Sequence, residues 1–293
     1  MSIEKWIFEN TESLAGKTVA VSGSTGGLGT ALCEHLAHLG ADLLILNRNT
    51  ARSEAQKKEL EAKYGVNVRY LSLDLEDMQS IERTVSSLET EKIDVLIHNA
   101  GAYSIPRRTC DNGYDNVFCI NFVSPYVLTR RLLPTIKKNA TKVVIVGSIA
   151  HNYSKTDPCD VDFSTRKRAS LVYGNAKRYI MTALPELLRD EGVNFAVTHP
   201  GITPTNITAH YPKLIYAIIK HPMKLIFMSP KKAALSILLG VFQNTDNNEW
   251  IGPRIFNIWG MPNKKKLNTI KNEEIERIKE KSEEIYKKST QGE

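Results

Sequence analysis

A tyrosine and a lysine four positions apart, in Tyr173-Gly174-Asn175-Ala176-Lys177, carry the most direct chemistry in this chain. Residues i and i+4 share one face of a helix, which would bring phenol and ammonium together. A free phenol titrates near about 10, too high for a base at neutral pH, and a neighbouring cation favours phenolate. The pattern alone is weak, because the chain holds 11 tyrosines among many lysines and Tyr216 to Lys220 repeats it. Context separates the two. Tyr173 opens a helical stretch after an apolar strand that ends at Gly147-Ser148, and the next strand ends at His199-Pro200-Gly201. No such strand precedes Tyr216, which reads as packing or lid.

The second chemical feature is Ser22-Gly23-Ser24-Thr25-Gly26-Gly27-Leu28-Gly29, lying between the first apolar strand and a helical run. Glycines permit a tight turn and a close backbone approach, and the helix N-terminus presents free N–H groups to an anion. A dinucleotide pyrophosphate is the expected ligand. Gly23, Gly27 and Gly29 give G-x-x-x-G-x-G, whereas Gly23, Gly26 and Gly29 give G-x-x-G-x-x-G. Both spacings imply a dinucleotide and differ in the substrate they go with. At the C-terminal end of the second strand stands Asn47-Arg48-Asn49, and the nearest acid, Asp42, is at the strand's other end. An acid there would bind a ribose 2′-hydroxyl and an arginine a 2′-phosphate, so Arg48 points to NADP(H) rather than NAD(H).

The elements around these residues alternate. Strands are expected at Lys17–Ser22, Asp42–Leu46, Val66–Leu71, Ile93–Ile97, Lys142–Val146 and Asn194–Thr198. Between them fall helical stretches at Leu28–Leu39, Arg52–Tyr64, Met78–Leu88, Gly113–Lys138 and Tyr173–Asp190. Unbroken apolar runs such as Asp42–Leu46 fit strands buried on both faces. The pattern predicts an α/β chain, a single-domain Rossmann-type doubly wound parallel sheet with helices on both faces. The divisions expected are an N-terminal segment, 1–16, a dinucleotide-binding domain, 17–263, with a substrate lid near 203–228, and a charged C-terminal helix or tail, 264–293.

Composition excludes other classes. The 293 residues are 42% hydrophobic and 24% charged, ordinary globular usage. The excess of 39 Lys and Arg over 32 Asp and Glu is dispersed, unlike the clustered footprint of a nucleic-acid binder. Cys33, Cys110, Cys119 and Cys159 form no C-x-x-C pair, so neither a disulfide framework nor a metal is expected. Met1–Gly16 lacks the apolar core of a signal peptide, and a cytoplasmic location is the expectation.

In order along the chain, from about Lys17 to Trp259, these motifs resemble the short-chain dehydrogenase/reductase family: the glycine turn, Asn47-Arg48, Asp74-Leu75, Asn99-Ala100-Gly101, Asn121, Ser148, Tyr173 with Lys177, and Pro200-Gly201. His98 departs from the family's usual Asn-Asn-Ala-Gly and reads as structural. Ser148 and Tyr173 stand 25 positions apart, and this layout resembles the retinol-dehydrogenase-like branch. The resemblance implies an oxidoreductase that interconverts a carbonyl and an alcohol. Tyr173 would be the general acid/base, and Lys177 would favour phenolate and bind the nicotinamide ribose. Ser148 would hydrogen-bond the substrate oxygen, and Asn121 would hold a proton-relaying water. It implies cofactor contacts from Gly23, Ser24, Thr25, Gly27, Leu28, Gly29, Asn47, Arg48, Asp74, Leu75, Asn99, Ala100, Gly101, Pro200, Gly201, Ile202 and Thr205. Relatives associate through helices like that of Tyr173, which leaves a homo-oligomer open.

Three stretches should border the substrate pocket: Tyr103–Asn112, Asn152–Val172 and Pro204–Met228. The apolar content of the last fits a small hydrophobic carbonyl or alcohol, and its lysines leave peripheral membrane contact open. Two other functions remain. One is a nucleotide-sugar epimerase or dehydratase of the extended type, kept by the G-x-x-G-x-x-G spacing. The other is a non-catalytic dinucleotide sensor, which would have no need of Tyr173 and Lys177.

Overall fold

The computed structural model describes residues 1–203, 227–267 and 270–290. The expected strands pair into one sheet. β1 (Thr18–Ser22), β2 (Asp42–Asn47), β3 (Val68–Ser72), β4 (Val95–His98), β5 (Lys142–Val146) and β6 (Phe195–Thr198) run parallel. Two further strands, β7 (Glu249–Ile255) and β8 (Trp259–Lys266), extend it to eight, in the order β3-β2-β1-β4-β5-β6-β7-β8, with β7 and β8 antiparallel. The order reverses between β1 and β4. Open α/β sheets bind ligands at such a switch, beyond the strands' C-terminal ends.

The central strands β1, β2, β4, β5 and β6 are buried on both sides because their residues alternate between two cores. Val143 and Ile145 join the core with Phe118, Phe122, Tyr126 and Tyr179, while Val144 and Val146 join Leu32, Leu36, Leu235 and Leu238 on the other face. One layer holds α1 (Ile3–Asn10), α2 (Gly27–His38), α3 (Thr50–Tyr64) and the late helix Pro230–Phe242. The other holds α4 (Met78–Leu88), α5 (Asn116–Phe118), α6 (Ser124–Arg131), α7 (Leu133–Asn139), α8 (Ala169–Asp190) and the final helix Asn272–Thr290. The two late helices are α9 and α10. The sheet with helices on both faces is the Rossmann-type architecture.

Two expectations are corrected. The helix read as Gly113–Lys138 is broken. Gly113 turns with φ +81, a π-helical turn (Cys119–Val123) separates α5 from α6, and α7 restarts at Leu133, followed by Pro134, which has no N–H to continue the preceding ladder. Lys264–Lys266 do not open a tail but end β8, and α10 begins at Asn272. Residues of the N-terminal segment form α1, with Trp6 and Ile7 buried. No helix among the described residues is long and apolar enough to cross a membrane.

Candidate active site

The C-terminal ends of β1, β2, β4, β5 and β6 open on a cavity of about 650 Å³. Gly23, Thr25, Gly27, Leu28 and Gly29 form its floor beyond β1. The turn is tight: a Cβ on Gly29 would stand 2.2 Å from the Gly23 carbonyl oxygen and 2.9 Å from Asn99 Nδ2. Gly26 N-caps α2 without a side-chain hydrogen bond, leaving the first-turn amides unclaimed by a capping side chain. Gly26 itself tolerates a Cβ at ordinary contact distance, so both glycine spacings share the two residues that the turn requires, Gly23 and Gly29.

Polar residues behind the turn brace it. Asn47 Nδ2 donates to Ser24 Oγ at 2.8 Å and to Ser53 Oγ at 3.0 Å, and Ser24 Oγ donates to Gln56 Oε1 at 2.6 Å. Ser24 is fully buried and does not line the cavity, so this expected cofactor contact is a strut to α3 instead. Asn99 Nδ2 donates to the Ser22 and Gly23 carbonyls at 3.0 and 3.1 Å, while its buried Oδ1 has no partner. Ala100 and Gly101 line the cavity beside it.

At the β2 end, Arg48 is 65% exposed at its side chain and lines the cavity with Asn49 and Arg52. Its Nη1 lies 3.2 Å from Glu76 Oε1 and 3.9 Å from Asp74 Oδ2. Glu76 also accepts from Arg108 at 2.6 Å, which ties the loop after β4 to this end. Asp74 and Leu75 line the same wall. Glu76 and Arg52 escaped the sequence reading, because a single acid in a loop or a single arginine in a polar helix carries no spacing signal.

At the opposite end, α8 presents Tyr173 and Lys177 one turn apart. Lys177 is buried, its Nζ donates to the Val146 carbonyl at 2.9 Å, and it lies 5.6 Å from the Tyr173 ring centre. Burial draws its ammonium down to about 8. Tyr173 packs edge-on against Tyr103, with ring centres 5.3 Å apart. Burial pushes the Tyr173 phenol up to about 12, against the opposing pull of the Ser148 hydroxyl. This differs from the expectation that Lys177 lowers the phenol: desolvation governs it here, and the ammonium is engaged by a carbonyl. Ser148 caps the short helical turn Ile149–Asn152, its Oγ accepting from Ala150 N at 3.2 Å.

Asn121 lies in the π-helical turn, just behind Gly101. Its Nδ2 donates to the Ala102 and Val117 carbonyls at 2.8 Å each, and its buried Oδ1 has no partner. A Cβ on Gly101 would stand 2.8 Å from that oxygen and 3.5 Å from Lys177 Nζ, so the glycine keeps the path between the two side chains open. Pro200, Gly201 and Ile202 line the cavity together with His199, which stacks on Trp250 at 5.0 Å and is drawn down to about 3 by burial. His98 is buried against Thr129 Oγ1 at 2.6 Å, the structural role expected of it. Of the three stretches expected to border the pocket, Tyr103, Ile105 and Tyr153 represent the first two. Thr205, Tyr216 and residues 204–226 of the lid expected near 203–228 lie outside the described residues.

The sequence matches the short chain dehydrogenase family over residues 17–213. Human retinol dehydrogenase 13 is 30% identical over 208 residues, which cover 68% of this chain and 62% of that protein. An uncharacterized oxidoreductase of Schizosaccharomyces pombe is 27% identical over 259 residues, 81% of this chain and 76% of its own. Among solved structures, the NADPH-dependent 3-quinuclidinone reductase of Rhodotorula rubra shares the fold, with a TM-score of 0.63 at 20% identity over 80% of this chain and 89% of that one. The family binds a nicotinamide dinucleotide. A cleft at the strand-order switch, the motifs in sequence order and the matched span lead to one assignment: the chain belongs to the short-chain dehydrogenases, an oxidoreductase family, within its retinol-dehydrogenase-like branch.

Proposed function

We propose that this protein is an NADP(H)-dependent reductase of a hydrophobic aldehyde or ketone, running in reverse as an alcohol dehydrogenase. The observation that carries the reading is that Tyr173, kept protonated by burial, lines the same cavity as Ser148 and the glycine turn. The residues fit a nicotinamide dinucleotide. Gly29 leaves the turn no room for a side chain, α2 has an uncapped N-terminus, and Asn99 Oδ1 is buried without a partner.

Gly23–Gly29 and the first-turn amides of α2 would hold the pyrophosphate, and Arg48 with Arg52 the 2′-phosphate. Lys177 would hold the nicotinamide ribose, and the Pro200–Ile202 backbone the carboxamide. When bound, the nicotinamide supplies the hydride that reduces the carbonyl carbon. Tyr173 gives its phenolic proton to the substrate oxygen, a role for which the raised phenol is already in the acid form. Ser148 donates a hydrogen bond to that oxygen as charge develops on it. Lys177, 5.6 Å from the Tyr173 ring centre, is among the described residues the nearest cation to the phenolate as it forms, and Asn121 Oδ1 offers an acceptor for a water that returns the proton past Gly101. Tyr103, Ile105, Ile149, Tyr153 and Ile202 give the substrate end an apolar and aromatic lining, which supports an oily carbonyl compound.

The test follows NADPH absorbance against a panel of aldehydes, ketones and sugar nucleotides, with Tyr173→Phe as control. Turnover of apolar carbonyls, lost by about 10²-fold or more in the variant while NADPH still binds, is expected. Turnover of sugar nucleotides alone, binding without turnover, or full activity in Tyr173→Phe would each overturn the reading.

A further inference from the structure

The proposed mechanism uses Lys177 and leaves its neighbour Arg178 without a task, yet Arg178 is among the most fully engaged side chains in the molecule. Only 5% of its side chain is exposed, and its partner Glu274 is at 7%. Arg178 Nε donates to Glu274 Oε1 and Nη2 to Glu274 Oε2, each at 2.6 Å, a bidentate fork. Nη1 donates to the His151 carbonyl at 2.9 Å. Glu274 Oε1 also accepts from Thr156 N at 3.2 Å and from Thr156 Oγ1 at 3.1 Å. Burial pushes the Glu274 carboxyl up, and the bonds from Arg178 and Thr156 outweigh it, leaving the group below its ordinary value.

The placement of this pair is informative. Glu274 sits in the first turn of α10, where a helix dipole favours an anion. Arg178 sits on α8, one residue beyond Lys177. The groups they hold, His151 and Thr156, belong to the segment that leaves Ser148, and His151 Nδ1 lies 2.7 Å from the Ser148 carbonyl oxygen. On the same side, α8 approaches so closely that a Cβ on Gly174 would stand 2.4 Å from the Ala150 carbonyl oxygen. The Ser148 turn is therefore clamped between the Tyr173 helix and the C-terminal helix. A buried ion pair is a poor device for stability alone, since packed apolar residues of similar volume often do as well or better. What apolar residues cannot do is hold a carbonyl and an amide at fixed points.

We propose that Arg178 and Glu274 are positioning residues, through which α10 holds the Ser148 turn in register with Tyr173. The proposal rests on the reading of Ser148 and Tyr173 as the groups that meet the substrate oxygen.

Three variants of the full chain test it. Glu274→Gln keeps the shape and removes the charge. Arg178→Lys keeps the charge and removes the fork. The double variant Arg178→Met/Glu274→Leu removes both charges and leaves neither orphaned. In Arg178→Lys and the double variant, kcat should fall about tenfold or more while the NADPH dissociation constant, read by its fluorescence, stays within about twofold. Amide hydrogen exchange of residues 148–156 should quicken in both, with the Tm of the double variant near that of the wild type. Glu274→Gln should fall between them and the wild type in both measures. A double variant with wild-type Tm, kcat and exchange overturns the proposal. If the double variant does not fold, wild-type kcat and exchange in both Glu274→Gln and Arg178→Lys overturn it. A loss of NADPH affinity equal to the loss of kcat also overturns it, since it would mark general damage. Should the wild-type protein reduce no carbonyl at all, the functional reading fails, and exchange of residues 148–156 still decides whether the clamp exists.

Discussion

Lys177 Nζ donates to the Val146 carbonyl at 2.9 Å, so the ammonium is anchored to the end of β5 rather than projecting freely into the cavity. Its charge is nonetheless close to being lost. Burial brings it down to about 8, whereas Tyr173 stays protonated to about 12. For carbonyl reduction, kcat/KM should be flat below pH 8 and fall as pH rises through it, with Tyr173 adding no second fall until far more alkaline pH. The free-enzyme profile reads this directly. Lys177→Met should abolish the fall near pH 8 and lower kcat/KM by about 10²-fold. A profile still falling near pH 8 in that variant would assign it to another group.

Arg48 gives the cofactor prediction. Its guanidinium reaches Glu76 and Asp74 but remains largely exposed at the cavity wall, available to an anion. Charge-assisted hydrogen bonds contribute about 1.5–3 kcal/mol, so Arg48→Ala should lower kcat/KM for NADPH by about 10- to 100-fold. The value for NADH should stay within about twofold, because NADH lacks the 2′-phosphate. Equal losses with both cofactors would make Arg48 a general contributor to the fold of this wall.

Acid stability should be set in part by two buried histidines. Burial holds His98 at about 4 and His199 at about 3, from an ordinary 6.5. Both are kept neutral in the folded state, while the unfolded chain takes up their protons below pH 6.5, so stability falls as pH falls through that value. The loss should be about 2 kcal/mol per histidine between pH 7 and pH 5. It should flatten only below the folded values. Tm measured at both pH values should show it, and His98→Gln should shrink the difference by about half. An unchanged difference would mean that acidic groups, not these histidines, govern the fall.

Much of the fold was legible because it depends on local apolar runs. The bounds of β5 and α4 coincide with the expected ones, and β1, β2 and β6 differ by a residue or so. The β7–β8 hairpin was not legible. Pro253 and Pro262 sit inside its strands, and three lysines end an edge strand where charge guards against further pairing. The site was legible as a set of positions, but not which way each side chain turns. Arg48 faces the cavity, whereas Ser24, in the same type of turn segment, faces α3. Nor could sequence connect Arg178 to Glu274, since their bond spans 96 positions and only the packing of α10 on α8 brings them together.

The π-helical turn at Cys119–Val123 closes with Ser124 N–H donating to the Cys119 carbonyl, five residues back. Each residue of a helix advances the side chains by about 100°, so this one extra residue sets the angular phase of everything after it. Asn121 is aimed at the space behind Gly101 by that phase shift as much as by its own side chain. Exchange of one residue for another in this turn leaves the phase intact, while loss or gain of a single residue resets it. Length, more than residue identity, is therefore the property on which the aim of Asn121 depends.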